Sequence, residues 1–159
     1  MNFYYYHLLT WPDLSWVAEN EEGDIVGYVL GKINEDDSTM GQITSVAVNR
    51  SYRRLGLAKK LMRQSQIKMI EVYNCKTCAL HVRESNYAAR HMYESVLGFK
   101  YCFYCRVMNR LMETDYKYYG DGENGLALRL DLQKVRDEYN IPPYKGPVKE
   151  KETKSKSSK

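Results

Sequence analysis

No apolar run in this 159-residue chain reaches the roughly 18 residues that a bilayer-crossing helix needs. The N-terminus, Met1-Asn2-Phe3-Tyr4-Tyr5-Tyr6, lacks the basic start and small-residue cleavage site of a secretory signal. A soluble, cytoplasmic protein that does not engage membranes is expected. Two nucleotide-binding signatures are missing as well. Without Gly-x-x-x-x-Gly-Lys-Ser/Thr there is no P-loop, and without Gly-x-Gly-x-x-Gly behind a first strand there is no dinucleotide fingerprint. Charge of one sign is scarce outside one segment. The formal +4 resides in Lys145 to Lys159, which holds six Lys and two Glu, so 18 basic and 18 acidic residues remain elsewhere. That balance argues against a uniformly basic surface, and sequence-specific nucleic acid is not an expected partner. Proline is sparse too: four in all, three of them at Pro142, Pro143 and Pro147. They mark an exit from the fold, which predicts one domain over 1–134 and a Pro-containing exit with a disordered Lys/Ser-rich tail over 135–159.

The four cysteines fall in two Cys-x-x-Cys pairs, Cys75/Cys78 and Cys102/Cys105. That spacing is known from zinc knuckles. Neither pair carries the Gly that lets a knuckle turn around its metal. Cys78 also alternates with Leu80 and Val82 as the buried face of a strand, so packed thiols are expected and no metal.

Hydrophobic residues make up 43% of the chain, enough for a real core. Ser15 to Glu19 reads as a short strand, Asn20 to Asp24 as a turn, and Ile25 to Ile33 as a strand covered on both faces. Gln42 to Val48 completes an antiparallel meander. Leu57, Ala58, Leu61, Met62, Ser65, Met69 and Val72 recur at helical spacing with Lys59, Lys60, Arg63 and Gln66 between them, which predicts an amphipathic helix. A strand over Thr77 to Val82 follows. Then comes a helix opened by Ser85 or Asn86, with Ala88, Ala89, Met92, Tyr93 and Val96 on one face, stopped by Gly98. Leu126 to Leu132 forms a last strand.

Between the third strand and the long helix lies Arg53-Arg54-Leu55-Gly56-Leu57-Ala58, an Arg-x-x-Gly-x-Ala sequence. Unpaired N–H groups at a helix start attract anions, and small residues at Gly56 and Ala58 let a pyrophosphate approach. Arg53, Arg54, Lys59 and Lys60 add positive charge. With Ile43-Thr44-Ser45-Val46-Ala47-Val48, Leu80-His81-Val82-Arg83-Glu84-Ser85-Asn86 and Lys117-Tyr118-Tyr119-Gly120-Asp121-Gly122-Glu123, this stretch resembles the GNAT superfamily of N-acetyltransferases. Within it the chain is similar to the NatA type of protein N-terminal acetyltransferase, from about Met1 to Leu132.

The resemblance implies an α/β GNAT fold, a mixed and mostly antiparallel sheet flanked by helices. Relative to the family the chain looks N-terminally truncated, lacking a first strand and a loop that carries a functional Glu. An unpaired sheet edge near Trp16-Val17-Ala18 is therefore expected. Between Phe99 and Lys117 the chain has about ten residues more than the resemblance would give. The co-substrate would be acetyl-CoA, with Val46, Ala47 and Val48 pairing with pantetheine and Arg53, Arg54, Leu55, Gly56, Leu57 and Ala58 holding its phosphates. Asn86 and Tyr93 would lie near the thioester, and Tyr118 and Tyr119 would close over the peptide. Implied partners are a large helical auxiliary subunit, the ribosome and nascent peptide N-termini.

An α-amino group with a pKa of about 7.7 to 8.0 is partly neutral at pH 7, unlike a Lys at about 10.4, so it needs little help from a base. Direct attack on the thioester in a ternary complex follows, with positioning as the main contribution. A backbone N–H near Val46 would stabilise the oxyanion and Tyr93 would donate to the leaving thiolate. His81 faces away from Leu80 and Val82, which fits either a base or a structural imidazole. Arg83 fits either a substrate or loop contact or a surface ion pair, whereas Glu123 belongs to the turn. A catalytically impaired protein that keeps cofactor or partner binding is the competing reading.

Overall fold

The computed structural model describes residues 3–101, 114–115 and 118–146. Helix α1 (Phe3–Thr10) leads into the meander β1 (Trp16–Glu19), β2 (Ile25–Ile33) and β3 (Met40–Val48). Helix α2 (Leu57–Glu71) crosses over to β4 (Thr77–Arg83), which lies parallel to β3. Helix α3 (Tyr87–His91) runs straight into a π turn over Met92–Val96. The two-residue strands β5 (Lys100–Tyr101) and β6 (Thr114–Asp115), then β7 (Gly125–Asp131) and α4 (Leu132–Glu138), complete the described fold. Sheet order is β1-β2-β3-β4-β7-β5, and β6 also pairs with β7. Among the described residues β1 lies at one end of this order, paired with β2.

Long apolar strands need cover on both faces, and α2 supplies it on one. Leu61, Met62, Met69 and Ile70 are buried there against the sheet. The helix comes close because the strands beneath it carry glycine. A Cβ on Gly41 would collide with the Met69 thioether, and one on Gly31 would meet Ser65 Oγ at 2.9 Å. Arg63 is buried in the same face. Its Nη1 donates to Gln66 Oε1 (2.7 Å) and its Nη2 reaches Glu138 at 3.2 Å, which ties α4 to α2.

Leu132, Val135 and Ile141 are all core residues. The domain boundary expected after residue 134 thus falls inside α4, because periodic burial continues beyond it; the tail from 147 lies outside the described residues. A second difference concerns α3. An α-helical face predicts Val96 inward with Tyr93, yet Val96 is exposed while Tyr93 and Leu97 are buried. The π turn, closed by Leu97 N–H to the Met92 carbonyl, inserts one residue and rotates the face.

Burial pushes the Cys75 and Cys78 thiols up to about 12, so both stay protonated. Cys102 and Cys105 lie outside the described residues. Among the described residues no helix is long and apolar enough to cross a membrane.

Residues 102–113 lie outside the described residues, and the two short strands that flank them both pair with β7. Tyr101 stands opposite Leu128 and Thr114 opposite Leu126. From one to the other this edge advances thirteen residues while β7 retreats by two, an excess of eleven over an uninterrupted strand.

Candidate active site

The site begins where two parallel strands part. β3 and β4 pair only from Met40 to Ile43 opposite Thr77 to Leu80, and the ladder ends there. Just beyond Ile43, β3 carries a bulge. Leu30 faces Ser45 and Gly31 faces Ile43, so Thr44 is the extra residue, and a bulge bends its strand. The gap opens into a cavity of about 320 Å³ lined by Ile43, Thr44, Ser45 and Val46 on one side and by Leu80, His81, Val82 and Arg83 on the other. Asn86, Tyr93 and Tyr119 complete the lining.

The β3 side ends in an open helix start. Asn49 accepts from Ser51 N–H to start a single turn, after which the chain reaches Arg53, whose Nε donates to the Val48 carbonyl at 3.0 Å. Arg54 (φ 63°) and Gly56 (φ 77°) both lie in the left-handed region, and Gly56 opens α2 with no side-chain cap. A Cβ at Gly56 would meet nothing within 4 Å. An uncapped helix start facing open space, flanked by exposed Arg53 and Arg54, suits an extended anionic group. Leu55 is 65% exposed, so in this fold its contribution is backbone rather than packing. Ala47, Val48, Leu57 and Ala58 lie along this rim outside the cavity lining, while Val46 is within it.

The β4 side is knit by side chains. Arg83 Nη1 donates to Asp121 Oδ2 (2.7 Å) and to Glu123 Oε2 (2.8 Å), and its guanidinium lies over the Tyr119 ring, 4.1 Å from the centroid. Glu123 Oε1 also accepts from the backbone N–H and the hydroxyl of Ser85. Those Ser85 bonds and then Arg83 hold the Glu123 carboxyl below its usual range. Asp121 is lowered by the Glu123 N–H and then by Arg83. His81 stacks on Tyr118 with ring centroids 4.2 Å apart and planes 12° from parallel. Gly125 makes room for this, since a Cβ there would meet Tyr118 at 2.9 Å.

One expectation changes with this geometry and another narrows. Of the contacts open to Arg83, to substrate, to the loop or to a surface ion partner, its guanidinium makes the loop contact, meeting two carboxylates and a tyrosine ring. Glu123, expected only to shape a turn, is the acceptor that joins the 118–123 loop to the start of α3. Charges forty residues apart in sequence give no sign of pairing until β4 and β7 lie side by side. Asn86 caps α3 by accepting from Ala89 N–H (3.2 Å) while still lining the cavity. Tyr93 is buried in the cavity floor, edge-on to Phe99 at 5.9 Å. Burial, followed by the neighbouring Tyr119, pushes its phenol up to about 12. Thr44 and Ser45, which form the bulged wall, were not legible as site residues because a bulge depends on strand pairing.

Parallel strands that splay beside an uncapped helix start, with an aromatic loop facing them, leave an open cleft suited to an extended anionic group. The Acetyltransferase (GNAT) family matches residues 2–99, and the chain belongs to that family. It is 48% identical over 145 residues to the N-alpha-acetyltransferase daf-31 of Caenorhabditis elegans, covering 90% of this chain and 74% of that protein. It is 44% identical over 134 residues to the N-terminal acetyltransferase A complex catalytic subunit NAA10 of Arabidopsis thaliana, covering 84% of this chain and 65% of that one. Among solved structures, the NatC complex bound to Gag peptide and CoA contains a chain matching with a TM-score of 0.67 at 28% identity, covering 80% of this chain and 77% of that one.

Proposed function

We propose that this chain is a protein N-terminal acetyltransferase of the NatA type, transferring acetyl from acetyl-CoA to the α-amino group of a peptide. The carrying observation is the cavity between the splayed ends of β3 and β4, flanked by the open helix start on one side and the clamped tyrosine loop on the other. The 44% and 48% identities to N-terminal acetyltransferases support the same reading.

Acetyl-CoA would lie with its phosphates at Arg53 to Ala58 and its pantetheine along the Val46 to Val48 edge. The acetyl group would then reach the cavity beside Val46, Asn86 and Tyr93. The peptide amine enters from the loop side and its nitrogen bonds to the acetyl carbon as the carbon–sulfur bond breaks. The amine sheds a proton, for which His81 is the nearby acceptor. Backbone N–H groups at the β3 bulge face the acetyl oxygen as charge grows on it. Tyr93 acts as a hydrogen-bond donor to sulfur rather than as a proton donor. Passing its proton from a pKa of about 12 to a thiolate of about 8.5 would cost about 5 kcal/mol. Tyr118 and Tyr119, fixed by His81 and Arg83, form the wall against the peptide.

The exposed apolar face of α1, with Tyr5, Leu8 and Leu9, supports docking on a large helical auxiliary subunit. That assembly would work in the cytoplasm, at the ribosome, on emerging N-termini. The test is to purify the protein with and without the auxiliary subunit, supply acetyl-CoA and Ser- or Ala-starting peptides containing an internal Lys, and locate the product acetyl by mass spectrometry. Acetyl on the α-amine alone is expected. Acetyl on Lys alone, or no transfer by either preparation, overturns the reading.

A further inference from the structure

We propose that His7 is a positioning residue for the cavity, holding the Thr44 bulge of β3 in shape; its bearing on catalysis rests on the acetyltransferase reading above. His7 is the one buried residue of α1, at 2% exposure; the seven others of that helix are exposed. A helix normally seats itself by an apolar stripe, whereas this one sends an imidazole inward. A buried polar group costs stability unless bonded, so the bonds explain its presence.

Those bonds lead to the cavity. The Phe3 carbonyl, 3.0 Å from Nδ1, can only accept, so Nδ1 carries the proton that faces it. Nε2, the other ring nitrogen, lies within hydrogen-bond distance of the Thr44 hydroxyl at 3.1 Å. The same hydroxyl donates at 3.1 Å to the carbonyl of Leu30, the residue paired with Ser45 at the bulge. The rings of Phe3, Tyr6 and Trp11 enclose the imidazole, with Phe3 nearest at 4.5 Å. A second contact from α1 lands one residue further along. Tyr4 lies edge-on to Tyr28 at 6.4 Å, and Tyr28 hydrogen-bonds Ser45 through the two hydroxyls at 3.1 Å.

A bulge leaves its extra residue outside the strand ladder, so some other group must hold it. Here that group belongs to α1. Thr44 and Ser45 both line the cavity. Displacing them moves the adjacent backbone N–H groups, and a shift of about 1 Å at such a position costs up to about 100-fold in rate.

The experiment uses His7→Phe, which keeps a ring and loses both bonds, Thr44→Val, which is nearly isosteric, their combination, and His7→Gln, whose amide reaches about where Nε2 does. The first readout is amide hydrogen exchange at Ser45 and Val46 in the protein alone, with no acetyl-CoA or peptide present. Exchange there should rise about tenfold in His7→Phe and in Thr44→Val, no further in the combination, and return toward the starting value in His7→Gln. The second is the division between kcat, expected to fall about tenfold in His7→Phe, and the acetyl-CoA Kd, expected to stay within about twofold. Unchanged exchange in Thr44→Val, or additive effects of the two substitutions, overturns the proposal. Failure of the unsubstituted protein to bind acetyl-CoA overturns the functional reading instead, and leaves the exchange result to decide the role of His7.

Discussion

Along the β3 and α2 side of the cavity the chain offers backbone: a bulged strand, an uncapped helix start and a glycine facing open space. Along the β4 side it offers side chains bonded to one another, with Arg83, Ser85, Asp121 and Glu123 in one network and His81 against Tyr118. The difference follows from what each side is proposed to meet. A cosubstrate that is the same in every turnover can be held by amide groups that most sequences supply. A peptide N-terminus varies, so its wall must be shaped by particular side chains, and those chains need fixing because the loop bearing them has few ladder bonds of its own.

Breaking the backbone side should have the largest effect. Gly56→Glu places a carboxylate at a positive helix end and in the space proposed for phosphate, so acetyl-CoA affinity should fall about 100-fold by isothermal titration. Stability should drop by only about 1 kcal/mol, the cost of a side chain at φ 77° with no clash around it. Affinity within twofold of the starting protein would remove the helix start from the reading.

Breaking the side-chain side should spare the cosubstrate. Arg83→Ala releases Asp121, Glu123 and the Tyr119 ring together, and kcat/KM for peptide should fall about tenfold while the acetyl-CoA Kd stays within about twofold. Equal losses in both would mean that the two sides are one unit.

Tyr93→Phe probes the floor between them. Because the phenol only donates a hydrogen bond, the loss in kcat should be about threefold to fivefold. The raised value near 12 keeps the phenol protonated and neutral throughout the working range. The rate should therefore climb with deprotonation of the substrate amine at about pH 8 and show no fall due to Tyr93 below about pH 11. An alkaline limb near pH 9 that disappears in Tyr93→Phe would show that the phenol ionises in the working range and acts as an acid, not only as a hydrogen-bond donor.

The smallest effect concerns the clamp's own charge. Glu123 has a depressed value in the fold, so its contribution is complete above the ordinary carboxylate range and is lost as pH falls through the folded value. Melting curves of the native protein and of Glu123→Gln should converge as the pH is lowered and separate toward neutrality. A constant gap at all pH values would show that the Glu123 charge plays no part.

Much of this architecture was legible in the residues. Alternation in Thr77 to Val82 and helical spacing in Leu57 to Val72 encode β4 and α2 locally, and Arg53 to Ala58 announces the start of α2. These are short-range signals, since a period or a turn needs only neighbouring residues. The π turn at Met92–Val96 was not legible, because its turning of Leu97 inward in place of Val96 is selected by packing in the core.

The division lies along sequence separation. By itself the order of residues determined which segments become strands and helices, where the helix start proposed to hold phosphate sits and which aromatic loop follows. Only the tertiary structure decided that Glu123 meets Arg83 and Ser85, that Thr44 is squeezed out of the β3 ladder, and that His7 reaches across thirty-seven residues to hold it. Such contacts join groups with no local coupling, and they form only when sheet order brings distant strands together. A hydroxyl or a carboxylate carries no mark in the sequence of which partner it will find.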